Sequence, residues 1–172
     1  MSAILVGYRG SGKTSVGRKL ADRLWQSFVD TDELIVAAAG GKTIKEIFER
    51  EGEARFRELE NQAVAKICTL QEHIIALGGG AVVRAENRKA IKDSGFKCVY
   101  LRCEPHVLLA RIQADPQTAA TRPSLTHLAG GIDEIKQLLA IREPLYRDVM
   151  TAELDVTNLT LDEAMVYLTR LI

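Results

Sequence analysis

Short apolar runs alternate along this chain with longer stretches in which apolar residues recur every third or fourth position. The runs at 3–6, Phe28–Asp30, Ile74–Leu77, Cys98–Arg102 and Leu154–Thr157 read as buried strands. Between and after them the spacing predicts helices over 13–25, 33–39, 44–51, 53–71, 84–94, 105–113, 131–147 and 160–171. Val16, Leu20 and Leu24 show the rule, one apolar residue every four positions on one helix face. Strands alternating with amphipathic helices predict an α/β fold: a parallel sheet covered on both faces. Crossovers in such a sheet are right-handed, and ligands bind beyond the carboxyl ends of its strands. Pro144 is expected to bend or restart the helix that contains it. Residues 114–130 break the rhythm. Pro116 and Pro123 discourage a helix, and Arg122 lies near the middle, which predicts a mobile lid carrying an arginine.

Three motifs fall at predicted strand ends, where the fold puts its ligands. The first is Gly7-Tyr8-Arg9-Gly10-Ser11-Gly12-Lys13-Thr14, a complete phosphate-binding pattern between a strand and a helix start. Its glycines let the backbone bend around an anion, and the helix N-terminus adds unpaired N–H groups and a positive dipole end. Lys13 would reach the outer phosphates of a nucleotide, and the Thr14 hydroxyl would ligate Mg²⁺. The second is Asp30-Thr31-Asp32. On an extended segment both carboxylates face one side, enough for one acid near Mg²⁺ and one near an attacking hydroxyl. A helix cap at this point would need only one of them. The third is Gly78-Gly79-Gly80, which permits close approach of backbone to a ligand.

Farther along, Arg57 and Glu60 share a helix face by their spacing, and Arg142 offers a fork for carboxylate or phosphate. Alone, each would be an ordinary surface charge. His73, His106 and His127 have no metal-ligand spacing and read as structural or surface residues.

Composition narrows the partners more than the fold. Of 172 residues, 23 are Lys or Arg and 23 are Asp or Glu, a formal net charge of zero that argues against bulk nucleic-acid binding. The length fits one domain, 1–172. No apolar run approaches a membrane span, and the start of the chain runs straight into a strand, which predicts no leader. Cys68, Cys98 and Cys103 lack a C-x-x-C pattern and read as reduced, packed thiols in the cytoplasm.

Taken together, the motifs resemble the shikimate kinase family, of the nucleoside-monophosphate-kinase-like branch of P-loop proteins. The resemblance rests on Gly7–Thr14, Asp30-Thr31-Asp32 and the stretch from Ile47-Phe48 through Gly52-Glu53 to Phe56-Arg57 and Glu60. It continues in Gly78-Gly79-Gly80, Arg122-Pro123, and Arg142 with Tyr146. It implies a three-layer α/β/α P-loop kinase with five parallel strands in the order 2-3-1-4-5. It also implies a small substrate-binding helical region over 33–60 and a lid over 114–128; no obligate interface is visible in the sequence, so a monomer is expected. The implied reaction is ATP- and Mg²⁺-dependent phosphorylation of the shikimate 3-hydroxyl, on the route to chorismate and the aromatic amino acids.

By the same resemblance, Gly10, Ser11, Gly12, Lys13, Thr14, Ser15, Arg111 and Arg122 contact the nucleotide, with Arg111 near the adenine. Lys13 and Arg122 stabilise the transferring phosphoryl group, and Asp32 serves the acceptor hydroxyls. Arg57 and Arg142 hold the acceptor carboxylate, Glu60 supports them, and Gly78, Gly79 and Gly80 complete that pocket. Thr14 ligates Mg²⁺, and Asp30 does so through water.

Two departures stand out: an extra residue at Ala39-Gly40-Gly41, and a 155–160 loop without the family's proline or basic residues. A kinase of another small polyol, such as gluconate, shares the loop and lid but need not share Asp32, Arg57, the glycine triplet and Arg142. A nucleoside-monophosphate kinase fits less well for the same reason. A GTPase-type switch lacks its N-K-x-D motif here, and a silent nucleotide-binding module would have lost Lys13, Asp30, Asp32 or Arg122.

Overall fold

The computed structural model describes residues 2–115 and 131–172. Five strands, β1 (Ala3–Val6), β2 (Ser27–Asp30), β3 (His73–Ala76), β4 (Lys97–Arg102) and β5 (Ala152–Asp155), form one sheet. All pairs are parallel, in the order β2-β3-β1-β4-β5. The helices are α1 (Lys13–Leu24), α2 (Thr31–Ala38), α3 (Ile44–Ile67), α4 (Ala85–Asp93), α5 (Pro105–Ala114), α6 (Ile132–Val149) and α7 (Leu161–Leu171).

Side chains alternate across the strands and so divide the core between two faces. Ala3 and Leu5 of β1, with Val99 and Leu101 of β4, pack toward Val16, Leu20, Leu108 and Leu168. Ile4 and Val6, with Cys98 and Tyr100, pack toward Val64, Ile67, Ile91 and Tyr146. These are the three layers expected of the α/β/α arrangement. A third apolar cluster, Ile35 with Ile44, Ile47, Phe56, Leu59 and Ala63, ties α2 to α3 beside the sheet.

The element ends show which local forces decide them. Gly52 breaks α3 with φ 85° and ψ 167°, dividing it where the sequence predicts two helices. The first half starts on a capping box between Thr43 and Glu46. Helix α2 starts two residues earlier than 33, because Asp30 Oδ1 accepts the Asp32 N–H at 2.9 Å and caps it. Asp30 and Asp32 therefore do not sit on one extended segment. One ends a strand and the other lies in the first turn of a helix. Strand β5 spans 152–155 rather than 154–157. Asp155 Oδ1 accepts the Thr157 N–H at 2.9 Å, a turn that ends the pairing.

Helix α6 runs through Pro144 without restarting. Buried Leu139, Arg142, Tyr146 and Val149 hold both halves against the molecule, which outweighs the hydrogen bond proline forfeits. Gly40 and Gly41 form an exposed turn at φ 70° and 88° between α2 and α3. The expected lid, with Arg122 and His127, falls within or across 116–130 and so lies largely outside the described residues.

Candidate active site

The phosphate loop is shaped by contacts that a side chain would block. A Cβ on Gly7 would stand 2.7 Å from the Leu101 carbonyl oxygen. Gly10 and Gly12 have φ of 84° and 91°, backbone that favours glycine. The Ser11 N–H donates to Tyr8 O at 3.2 Å and closes the turn. Lys13 Nζ donates to Gly7 O at 2.8 Å and Tyr8 O at 2.9 Å, so the ammonium is held across the mouth of the loop. The loop opens on a cavity of about 760 Å³. Gly10, Ser11, Gly12, Lys13, Thr14 and Ser15 line one part of it, and Arg111 with Val156 and Leu159 lines another. Arg111 Nη2 donates to Val156 O at 3.1 Å, which fixes the guanidinium along that wall.

Asp30 combines two tasks. One carboxylate oxygen caps α2, and the other accepts the Thr14 hydroxyl at 2.7 Å. A threonine oxygen and a carboxylate make an all-oxygen donor set suited to Mg²⁺, which takes one or two protein ligands and completes its shell with water and phosphate. Among the described residues no group of three or more His, Cys, Asp or Glu is placed to cage a metal alone.

A second cavity of about 70 Å³ adjoins the first. Its wall includes Ile44, Phe48 and Phe56, the two rings 4.7 Å apart, with Arg57, Glu60, Gly80 and Arg142 opposite in kind. Arg57 Nη1 donates to Glu60 Oε2 at 2.8 Å, as the spacing predicts, and Glu53 Oε1 accepts from Nε and Nη2 at 3.3 Å. Burial pushes the Glu60 carboxyl above the usual range, against the opposing pull of Arg57. Arg142 is buried, its guanidinium carbon 5.9 Å from the Tyr8 ring centre.

The glycine triplet brings these groups together. A Cβ on Gly80 would stand 2.9 Å from Arg57 Nη1 and 3.6 Å from Arg142 Nη2. Two arginines distant in sequence thus converge over one bare stretch of backbone. Gly79 packs on the phosphate loop, and its carbonyl accepts the Tyr146 hydroxyl at 2.6 Å. The Gly78 N–H donates to Thr31 Oγ1 at 2.8 Å. Asp32, Gly78 and Gly79 line both cavities, so the two meet at that point.

A Cβ on Gly78 would stand only 2.7 Å from Asp32 Oδ1. Gly78 has no positive φ to strain, and the atom in the way belongs to a side chain rather than to backbone. Gly78→Ala is therefore expected to displace Asp32 and lower turnover by about tenfold, with a melting temperature within a few degrees of the parent. Parallel steady-state and thermal measurements check it.

Sequence reasoning did not single out Arg9, Glu134 or the hydroxyl of Tyr8. Arg9 fills a variable position of the phosphate motif, and Glu134 sits in a helix start that reads as solvated. In the structure Arg9 lines both cavities, and Glu134 is fully buried. Burial pushes the Tyr8 phenol up despite Arg9 and Arg142 nearby, so it stays neutral. Arg122 cannot be compared, since it lies outside the described residues.

A family model described as shikimate kinase matches residues 9–172. A curated shikimate kinase of Rhodopirellula baltica is 42% identical over 161 residues, 94% of this chain and 84% of its own. One from Symbiobacterium thermophilum is 44% identical over 146 residues, 85% of this chain and 81% of its own. The solved structure of the Acinetobacter baumannii shikimate kinase in complex with shikimate superposes with a TM-score of 0.89 and 34% identity. It covers 99% of this chain and 91% of that one.

Proposed function

We propose that the two cavities hold ATP and shikimate and that phosphoryl transfer occurs where they meet, because the chain belongs to the shikimate kinase family. Its activity is that of an ATP-dependent phosphotransferase with shikimate as acceptor. The observation that carries the assignment of residues is the shared rim: Asp32 lines both the loop cavity and the arginine-walled cavity.

In this reading the large cavity takes the nucleotide, phosphates on the loop and adenine toward Arg111. The small cavity takes shikimate, its carboxylate between Arg57 and Arg142 and its ring against Phe48 and Phe56. Asp32 accepts the hydrogen bond of the 3-hydroxyl and aligns that oxygen with the terminal phosphorus. The new bond joins the shikimate oxygen to phosphorus. The bond from phosphorus to the ADP oxygen breaks, and the hydroxyl proton leaves through Asp32. Lys13 and Arg122 meet the charge on the transferring oxygens. Thr14 and Asp30 would hold Mg²⁺, which when bound neutralises charge on the outer phosphates.

The described lining of both cavities comes from one chain, in keeping with a monomer as the working unit. The three cysteines are free, and burial pushes Cys68 to about 11 and Cys98 to about 12, in keeping with unreactive thiols of a reducing compartment. Among the described residues no helix is long and apolar enough to cross a membrane.

Phosphorus NMR of the reaction mixture tests the assignment. A single new phosphomonoester coupled to the proton on carbon 3 of shikimate is the expected product. Phosphorylation at another position, or nucleotide hydrolysis alone, would show that the acceptor is not held as described.

Arg142→Ala is expected to raise the shikimate Michaelis constant roughly tenfold to a hundredfold, because a charge-assisted hydrogen bond is worth about 1.5–3 kcal/mol. The constant for ATP should change little. Arg57→Ala should do the same with an added loss of stability, because Glu60 then stays buried without this cation. A defect confined to ATP in Arg142→Ala would move that arginine to the nucleotide side.

A further inference from the structure

Lys13 and Arg111 line only the large cavity, and Arg57 and Arg142 only the small one. Arg9 lines both, and among the described residues no other lysine or arginine does. Its Nη2 lies 3.9 Å from Glu134 Oε1, with side-chain exposures of 15% and 1%. That distance is an ion pair rather than a hydrogen bond. A carboxylate withdrawn so far from water is costly unless a cation stays close, so Glu134, in the first turn of α6, biases where the Arg9 guanidinium rests. The backbone is fixed too. Arg9 N lies 3.5 Å from the point a Cβ on Gly79 would occupy, so the loop and the glycine triplet are in contact there.

We propose that Arg9 is a catalytic residue whose guanidinium contacts the transferring phosphoryl group, and that Glu134 is its positioning residue. The inference rests on the phosphoryl-transfer reading above. The terminal phosphate of the nucleotide and the acceptor hydroxyl come together only where the cavities join. A cation lining both cavities meets the phosphoryl group as it passes from the ADP oxygen to the shikimate oxygen. The forked donors of a guanidinium match two equatorial phosphoryl oxygens. A carboxylate behind it limits its swing toward solvent, so the stabilising charge is in place before the reaction.

The test uses the full chain as Arg9→Ala, Arg9→Lys, Glu134→Gln and the double variant Arg9→Ala with Glu134→Gln. Each is assayed for kcat, for both Michaelis constants, and for affinity toward ADP with aluminium fluoride in the presence of shikimate. Arg9→Ala should lower kcat roughly tenfold to a hundredfold, with both Michaelis constants within about threefold, and should lose the tightening by aluminium fluoride. Arg9→Lys should recover part of kcat. Glu134→Gln should lower kcat by less, and the double variant should match Arg9→Ala alone.

If Arg9→Ala fails to fold because buried Glu134 loses this cation, the double variant carries the comparison. A raised shikimate Michaelis constant with unchanged kcat would make Arg9 an acceptor-binding residue and overturn the proposal. So would unchanged kinetics, or a Glu134→Gln defect that adds fully to that of Arg9→Ala. A wild-type enzyme inactive toward shikimate would instead overturn the functional reading beneath it.

Discussion

Lys13→Ala is expected to lower turnover by at least about a hundredfold, the scale set by removing one preorganised donor from a developing anion. The ammonium already lies in the mouth of the loop, 2.8 Å and 2.9 Å from the Gly7 and Tyr8 carbonyl oxygens. In the proposed mechanism it exchanges those carbonyls for phosphoryl oxygens when nucleotide arrives. The same contacts give it a structural share. Its removal leaves two loop carbonyls without this donor, so a stability loss of about 1 kcal/mol accompanies the catalytic one. Kinetics must therefore be read on protein whose circular dichroism and melting temperature are measured alongside. Near-normal turnover in folded Lys13→Ala would remove the lysine from the chemistry.

Asp32→Asn carries the second large effect. The side chain keeps its shape against Gly78, so the packing that a Cβ at Gly78 would disturb is retained. The carboxylate is lost, and with it the acceptor that the proposed mechanism gives the hydroxyl proton. Positioned acid–base groups contribute about 10² to 10⁴ in rate, so kcat should fall by roughly a hundredfold or more with shikimate affinity nearly kept. Turnover within about threefold of the parent would mean that Asp32 only shapes the cavity. Gly78→Ala, which moves the side chain itself, should then cost more than Asp32→Asn.

The sheet was readable because parallel strands buried on both sides are continuous apolar runs. Residues 3–6 and 98–101 are all buried. The edge strand was harder: Ala152–Asp155 is only partly buried, with charged Glu153 and Asp155 within it, so its run starts late when read from the sequence. Gly52 declared its break through the one residue that tolerates that backbone. Pro144 misled, because packing on both sides of it outweighs a local penalty.

At the site, motifs at strand ends were legible because the fold sends every strand end to one rim. The pairing of Arg57 with Glu60 followed from helix spacing. The meeting of Arg57 and Arg142 over Gly80 is tertiary, and no local pattern contains it. Arg9 and Glu134 were missed for the same reason. A loop motif leaves position 9 open, and an acid in a first helical turn normally reads as a favourable charge beside the dipole. The acids Asp30 and Asp32 were correctly brought to one rim by an incorrect route, since a helix cap rather than an extended segment sets their directions.

The proposed function joins a nucleotide cavity to an acceptor cavity for shikimate at one site. Its most direct test is the initial rate of ADP formation by the purified protein with ATP and Mg²⁺, compared across shikimate, gluconate and nucleoside monophosphates at equal concentration. The two convergent arginines and Asp32 predict rapid turnover with shikimate and rates near the no-acceptor background with the others. Faster turnover of gluconate, or of any nucleoside monophosphate, would contradict the claim.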